Sequence, residues 1–187
     1  MSQKNIYLSG FMGSGKTTVG KLLANCLGIS FIDTDSLIEK KTGMTISQIF
    51  SKKGESFFRE QERLVLLSLS HESPSVISLG GGMILSESNR RVIAEGIWVN
   101  LKATPATLIK RLEHFPETLV APKKKTVSKA RRRPLLGIKI KRENLEELLR
   151  QRRPYYNLAS IQVETDGLSA NAVMGNIKFL CNKYASH

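Results

Sequence analysis

The chain has little cysteine, two residues in 187, and no apolar run near the roughly 20 residues that a membrane-spanning helix needs. Cys26 and Cys181 stand far apart inside apolar helical patterns, which predicts two reduced core thiols and neither a disulfide nor a metal site. Internal repeats and low-complexity tracts are also missing, and with 41% apolar residues the chain is rich enough to bury a sizeable core. One compact α/β domain over residues 1–187 is expected. The N-terminus runs almost directly into a first strand, with no basic-then-apolar leader and no arginine- and serine-rich transit segment. A cytoplasmic protein without a membrane partner is therefore expected.

Acid is absent from one long stretch. The chain carries 29 Lys and Arg against 16 Asp and Glu, a formal charge of +13, and ten of the 29 fall between Leu119 and Arg142, where no acid occurs. Clustered lysine and arginine neutralise nucleic-acid phosphates and release their counterions. Yet "PKKKTVSKARRRP" offers no aromatic side chain for base stacking, and a proline-flanked, lysine-rich stretch reads as a solvated loop. Nucleic acid is not the expected partner.

Elsewhere short β-type runs alternate with helical ones. "NIYLS", "ISFID", "SVISL", "GIWVNL" and "IQVET" read as strands. "TVGKLLANCL", "TISQIF", "ESFFREQERLVLLSLS", "ESNRRVIAE", "ATLIKRL", "RENLEELLRQR" and "SANAVMGNIKFLCNKY" read as the main helices. This alternation implies a parallel sheet covered on both faces. Thr45 with Gln48 fits a capping box, Pro105 suits a first helical turn, and Gly28 suits a helix end.

Gly10, four residues, Gly15, Lys16 and Thr17 match G-x-x-x-x-G-K-[ST], between a strand and a helix. Glycines permit a tight bend whose N–H groups converge on a polyphosphate at the positive end of the helix. Lys16 can reach the β and γ phosphates as a point charge, and the Thr17 hydroxyl can ligate Mg²⁺. In "FIDTDSLIEKKTG", Asp33 and Asp35 are read at a strand end facing the cleft, one holding hydrated Mg²⁺ and the other accepting or orienting a hydroxyl proton. A strand-end turn or helix cap is the plainer use of such a pair.

In "GESFFREQERL", Arg59 and Glu62 share a helix face beside an apolar stripe of Phe58, Val65 and Leu69. They form either a surface ion pair worth little or a guanidinium fork for an anionic substrate, oriented by Glu62. "SLGGGM" then sets Gly80, Gly81 and Gly82 after an apolar strand, where a small ligand can approach backbone closely.

The ordered set "GFMGSGKTT", "DTD", "FREQE", "SLGGG", "RRRPLL" and "RRPYY", spread from about Asn5 to the last helix, resembles the shikimate kinase family. The resemblance implies a P-loop NTPase-type three-layer α/β/α sandwich with a five-stranded parallel sheet and a mobile lid. It also implies phosphoryl transfer from ATP to the 3-hydroxyl of shikimate by a monomeric enzyme. Substrate-binding helices would span about 35–71 and an extended basic lid about 112–133.

By the same resemblance, Gly13, Ser14, Gly15, Lys16, Thr17 and Thr18 bind the ATP phosphates, with Thr17 and Asp33 holding Mg²⁺. Lys16, Asp35 and Arg133 are the catalytic candidates, Arg133 descending with the lid. Asp35, Arg59, Glu62, Gly80, Gly81, Gly82 and Arg152 form the shikimate pocket. Arg111 is either a nucleotide-side arginine or an exposed helix residue. Two further alternatives stay open: Arg131 or Arg132 in place of Arg133, and Arg153 in place of Arg152 if Tyr155, not Tyr156, closes the last motif. A gluconate-type kinase, or a nucleotide-binding protein using the basic segment on nucleic acid, are the competing functions.

Overall fold

The computed structural model describes residues 4–113 and 142–185. Its five strands are β1 (Ile6–Gly10), β2 (Ser30–Asp33), β3 (Ser75–Ser78), β4 (Ile97–Lys102) and β5 (Ile161–Glu164). They form one sheet in the order β2-β3-β1-β4-β5, and all four pairings are parallel. Each expected strand is present.

The described helices are α1 (Lys16–Leu27), α2 (Thr34–Thr42), α3 (Ile46–Lys52), α4 (Gly54–Ser70), α5 (Glu87–Ala94), α6 (Pro105–Glu113), α7 (Arg142–Tyr156) and α8 (Ala170–Ala185). A 3-10 turn at Met83–Leu85 follows β3. The period-2 alternation of the strands divides the core. Tyr7, Ile77 and Trp98 point into a cluster with Ile38, Phe58, Leu66 and Leu145, while Ile6, Leu8, Val76 and Val99 point into a second with Val19, Leu23, Val173 and Ile177. The sheet is thus the middle of three layers.

Local chemistry sets several boundaries as expected. Thr45 and Gln48 make a reciprocal capping box, Gly28 ends α1 in the left-handed conformation at φ 67°, and Pro105 opens α6. Three expectations need correction. Cys26 is exposed, and only Cys181 is a core thiol, because the apolar stripe of α1 runs through Val19, Leu23 and Ala24 and turns Cys26 outward. Helix α2, which is not among the main helices read above, begins directly after β2, so Asp35 lies in a helix and not at a strand end. Finally, α7 continues through Pro154 to Tyr156, four residues past the expected end at Arg152.

Among the described residues no helix is long and apolar enough to cross a membrane. In the sheet order β1 is flanked by β3 and β4, although the chain goes from β1 to β2. That reversal opens a crevice at the carboxyl end of β1, where ligands bind in open parallel sheets.

Candidate active site

The loop after β1 is built on left-handed glycines. Gly10, Gly13 and Gly15 have φ of 142°, 81° and 99°, which L side chains rarely adopt. A Cβ on Gly10 would also lie 2.6 Å from the Leu101 carbonyl oxygen. No side chain caps α1, so its positive end borders a cleft of about 550 Å³ lined by Gly13–Val19, Arg111, Leu112, Thr165 and Leu168. The buried Lys16 ammonium donates to the carbonyls of Gly10 at 2.7 Å and Phe11 at 3.2 Å, arching over the loop.

Two further groups meet this loop. Thr17 donates its hydroxyl to Asp33 Oδ2 at 3.2 Å, while Asp33 Oδ1 accepts from the Ser36 N–H at 3.3 Å and so caps α2. The cap reading of Asp33 holds, and its second oxygen also stands at the Thr17 hydroxyl. Arg111 donates to the Gly13 carbonyl at 3.2 Å and to the hydroxyl and carbonyl of Thr165 at 3.0 and 2.8 Å. It is a fixed wall of the cleft, not an exposed helix residue. Thr165 closes the strand-like run "IQVET", and its bonds to Arg111 depend on α6 and the end of β5 converging.

The polar side chains of a second candidate pocket gather where α2, α4 and α7 meet the glycines after β3. Asp35 sits in the first turn of α2, not on the strand end, and its Oδ1 lies where a Cβ on Gly80 would fall. A Cβ on Gly81 would come 3.0 Å from Arg152 Nη1, and one on Gly82 would collide with the Arg59 guanidinium. The three glycines thus leave the room that Asp35, Arg152 and Arg59 occupy. Arg152 is buried and its guanidinium stands 6.0 Å from the Phe11 ring centre, whereas Arg153 is exposed. Tyr156, four residues on, is buried on the same helix face as Arg152.

Arg59 donates to Glu62 Oε2 at 2.7 Å and to Glu55 at 2.8 Å. The pair is no surface ornament, since Glu62 is 1% exposed and its Oε1 has no hydrogen-bond partner among the described residues. Burial pushes the Glu62 carboxyl up to about 7, against the pull of Arg59, with Asp35 adding to the rise and Arg152 opposing it. Arg59 is itself raised: burial lowers it, and the charges and hydrogen bonds of Glu62 and Glu55 more than offset that.

Arg133, with its alternatives Arg131 and Arg132, lies outside the described residues, as does most of the basic segment. Nearly every other expected residue falls at one of the two adjoining sites, one suited to a polyphosphate and one to a small polar anion. The family model described as shikimate kinase matches residues 12–180. A shikimate kinase of Thermodesulfovibrio yellowstonii is 41% identical over 175 residues, covering 93% of this chain and 92% of its own.

The chain belongs to the shikimate kinase family. A second shikimate kinase, from Moorella thermoacetica, is 40% identical over 177 residues, with 93% of this chain and 92% of the relative covered. Among solved structures, a shikimate kinase from Acinetobacter baumannii in complex with shikimate superposes with a TM-score of 0.83 at 36% identity, over 98% of this chain and 95% of that one. A Sinorhizobium meliloti gluconokinase reaches 0.56 at 18% identity over 99% of this chain and 98% of that one, a likeness of fold alone.

Proposed function

We propose that the protein transfers the γ-phosphoryl group of ATP to the 3-hydroxyl of shikimate, giving shikimate 3-phosphate and ADP in aromatic amino-acid biosynthesis. The observation that carries this assignment is the second pocket, where Arg59, Arg152, Asp35 and Glu62 surround three consecutive glycines beside the phosphate loop. Two guanidinium groups there suit a carboxylate and a carboxylate suits hydroxyls. Gluconate would ask the same of the charges but not of a rigid ring.

In this mechanism the N–H groups of Gly13–Thr18 and the Lys16 ammonium hold the phosphates and neutralise developing charge. Arg59 and Arg152 grip the substrate carboxylate, Glu62 orients Arg59, and Gly80–Gly82 let the ring approach backbone. Asp35 takes the proton from the 3-hydroxyl as its oxygen bonds to the γ-phosphorus, and the bridge to the β-phosphate breaks in line. Arg111 borders the adenosine end. Arg133 of the basic segment would stabilise the phosphoryl group in transit.

Mg²⁺ fits the hard oxygens of Thr17 and Asp33, which lie 3.2 Å apart at the foot of the phosphate loop. When bound, the ion would screen the charge on the β and γ phosphates. The same reading makes the enzyme a cytoplasmic monomer that works without nucleic acid, to be checked by light scattering and by salt-dependent retention on DNA. Identification of the product tests the assignment. A phosphate ester at the 3-oxygen of shikimate, located by phosphorus–proton coupling, is expected, and an ester elsewhere or on no ring position refutes it.

A further inference from the structure

Thr34, the residue between the two aspartates, is fully buried, yet the mechanism above gives it nothing to do. Its backbone already belongs to α2, while the register of β2 against β3 ends one residue earlier, with Asp33 opposite Ser78. In a parallel ladder the next residue would face Leu79, donating its N–H to one flanking carbonyl and accepting from the other flanking N–H. The Thr34 hydroxyl takes over both bonds. It donates to the Ser78 carbonyl at 3.2 Å and accepts from the Gly80 N–H at 2.9 Å. One side chain therefore extends the sheet by a rung after its own backbone has turned into a helix.

The consequence falls on the next residue. Because the rung is made by a side chain, the backbone is free to start α2 at once, and Asp35 is carried over Gly80, with its Oδ1 where a Cβ would otherwise stand. The same hydroxyl fixes the Gly80 N–H, and with it the start of the glycine run that faces Arg152 and Arg59. On the other side of β3 the Leu79 N–H is held by the Leu8 carbonyl at 2.9 Å, so this loop is clamped from both neighbouring strands. We propose that Thr34 is a positioning residue for phosphoryl acceptance, setting the spacing between the Asp35 carboxylate and the Gly80–Gly82 backbone. The proposal rests on the acceptor site assigned above and leaves the nucleotide side untouched.

The test is the pair Thr34→Val and Thr34→Ser. Valine keeps the shape and removes both bonds, whereas serine keeps the hydroxyl. For valine we expect kcat/KM for shikimate to fall about 30-fold or more, since small displacements of reacting groups carry large rate penalties, with the affinity for ADP within about 3-fold of normal. Serine should restore most of the loss. Equal losses for ADP and shikimate, or no loss with shikimate, overturn the proposal.

Hydrogen exchange at the Gly80 amide gives a readout free of activity. It should speed up by about 10-fold or more in the valine variant while amides of Gly13–Thr18 keep their rates, as expected when one native acceptor is removed. Unchanged exchange at Gly80 overturns the proposal whatever the substrate proves to be. If the unaltered protein fails to use shikimate but the exchange result appears, the assigned function fails and the positioning survives. Should Thr34→Val not fold, Thr34→Cys replaces it, and a cysteine variant matching serine in both readouts refutes the role of the hydroxyl.

Discussion

Replacing Glu62 by Gln puts the electrostatics of the acceptor pocket to a quantitative test. The carboxyl is buried, accepts one strong bond from Arg59, and has a pKa raised from 4.5 to about 7, burial being the largest cause. A group that binds its proton more tightly in the folded chain contributes its stability fully below the unfolded pKa and loses it as pH rises through the folded pKa. Each unit between the two is worth about 1.4 kcal/mol, so wild type loses roughly 2 kcal/mol from this group between about pH 5.5 and pH 8.5. Glutamine keeps the shape and does not titrate.

Urea unfolding of both proteins at the two pH values measures this, because groups common to both cancel in the difference. The stability of Glu62→Gln relative to wild type should rise by about 2 kcal/mol on going to the higher pH. A difference that stays flat, or moves the other way, refutes a buried, proton-retaining Glu62.

Four other outcomes follow from the geometry. Lys16→Ala should cut turnover by about 100-fold or more, since the phosphates lose their main cation, and substantial residual kcat would contradict the phosphate-loop assignment. Arg59→Ala should raise KM for shikimate by about 10-fold or more with ADP affinity kept, as removal of a charged hydrogen-bond donor does; a fall in ADP affinity instead would place Arg59 on the wrong side. Gly82→Ala should weaken shikimate far more than it lowers the melting temperature, because the new methyl displaces the Arg59 guanidinium, the end of a long side chain. Gly20→Ala should do the opposite, lowering stability by about 1–3 kcal/mol through overpacking, because its Cβ would come 2.5 Å from the Phe31 ring. Thermal unfolding and initial rates separate these last two.

Much of this was readable in the chain because the chemistry is local. Gly10 to Thr17 is contiguous, strand alternation is contiguous, and both survive without tertiary knowledge. Arg59 and Glu62 were legible as a pair by their spacing of three, but not as a buried one; only packing of α4 against the glycine loop takes Glu62 out of water. Which of Arg152 and Arg153 faces the glycine loop likewise depends on the rotation of α7, which buries the first and exposes the second. Helix α2 is implied by the family resemblance but not by periodicity, because "TDSLIEKKT" is short and polar, with a weak apolar face. Its start depends on the Asp33 cap, and the rung made by Thr34 needs β3 alongside. Exposure of Cys26 was missed for a related reason, as a cysteine near an apolar stripe need not lie on it.

The most direct measurement is ADP release from ATP with Mg²⁺, in parallel with shikimate, with gluconate and with no acceptor. Strong stimulation by shikimate alone is the expected result. Stimulation by gluconate instead, or release indifferent to every acceptor, would contradict the assignment of the second pocket as a shikimate site.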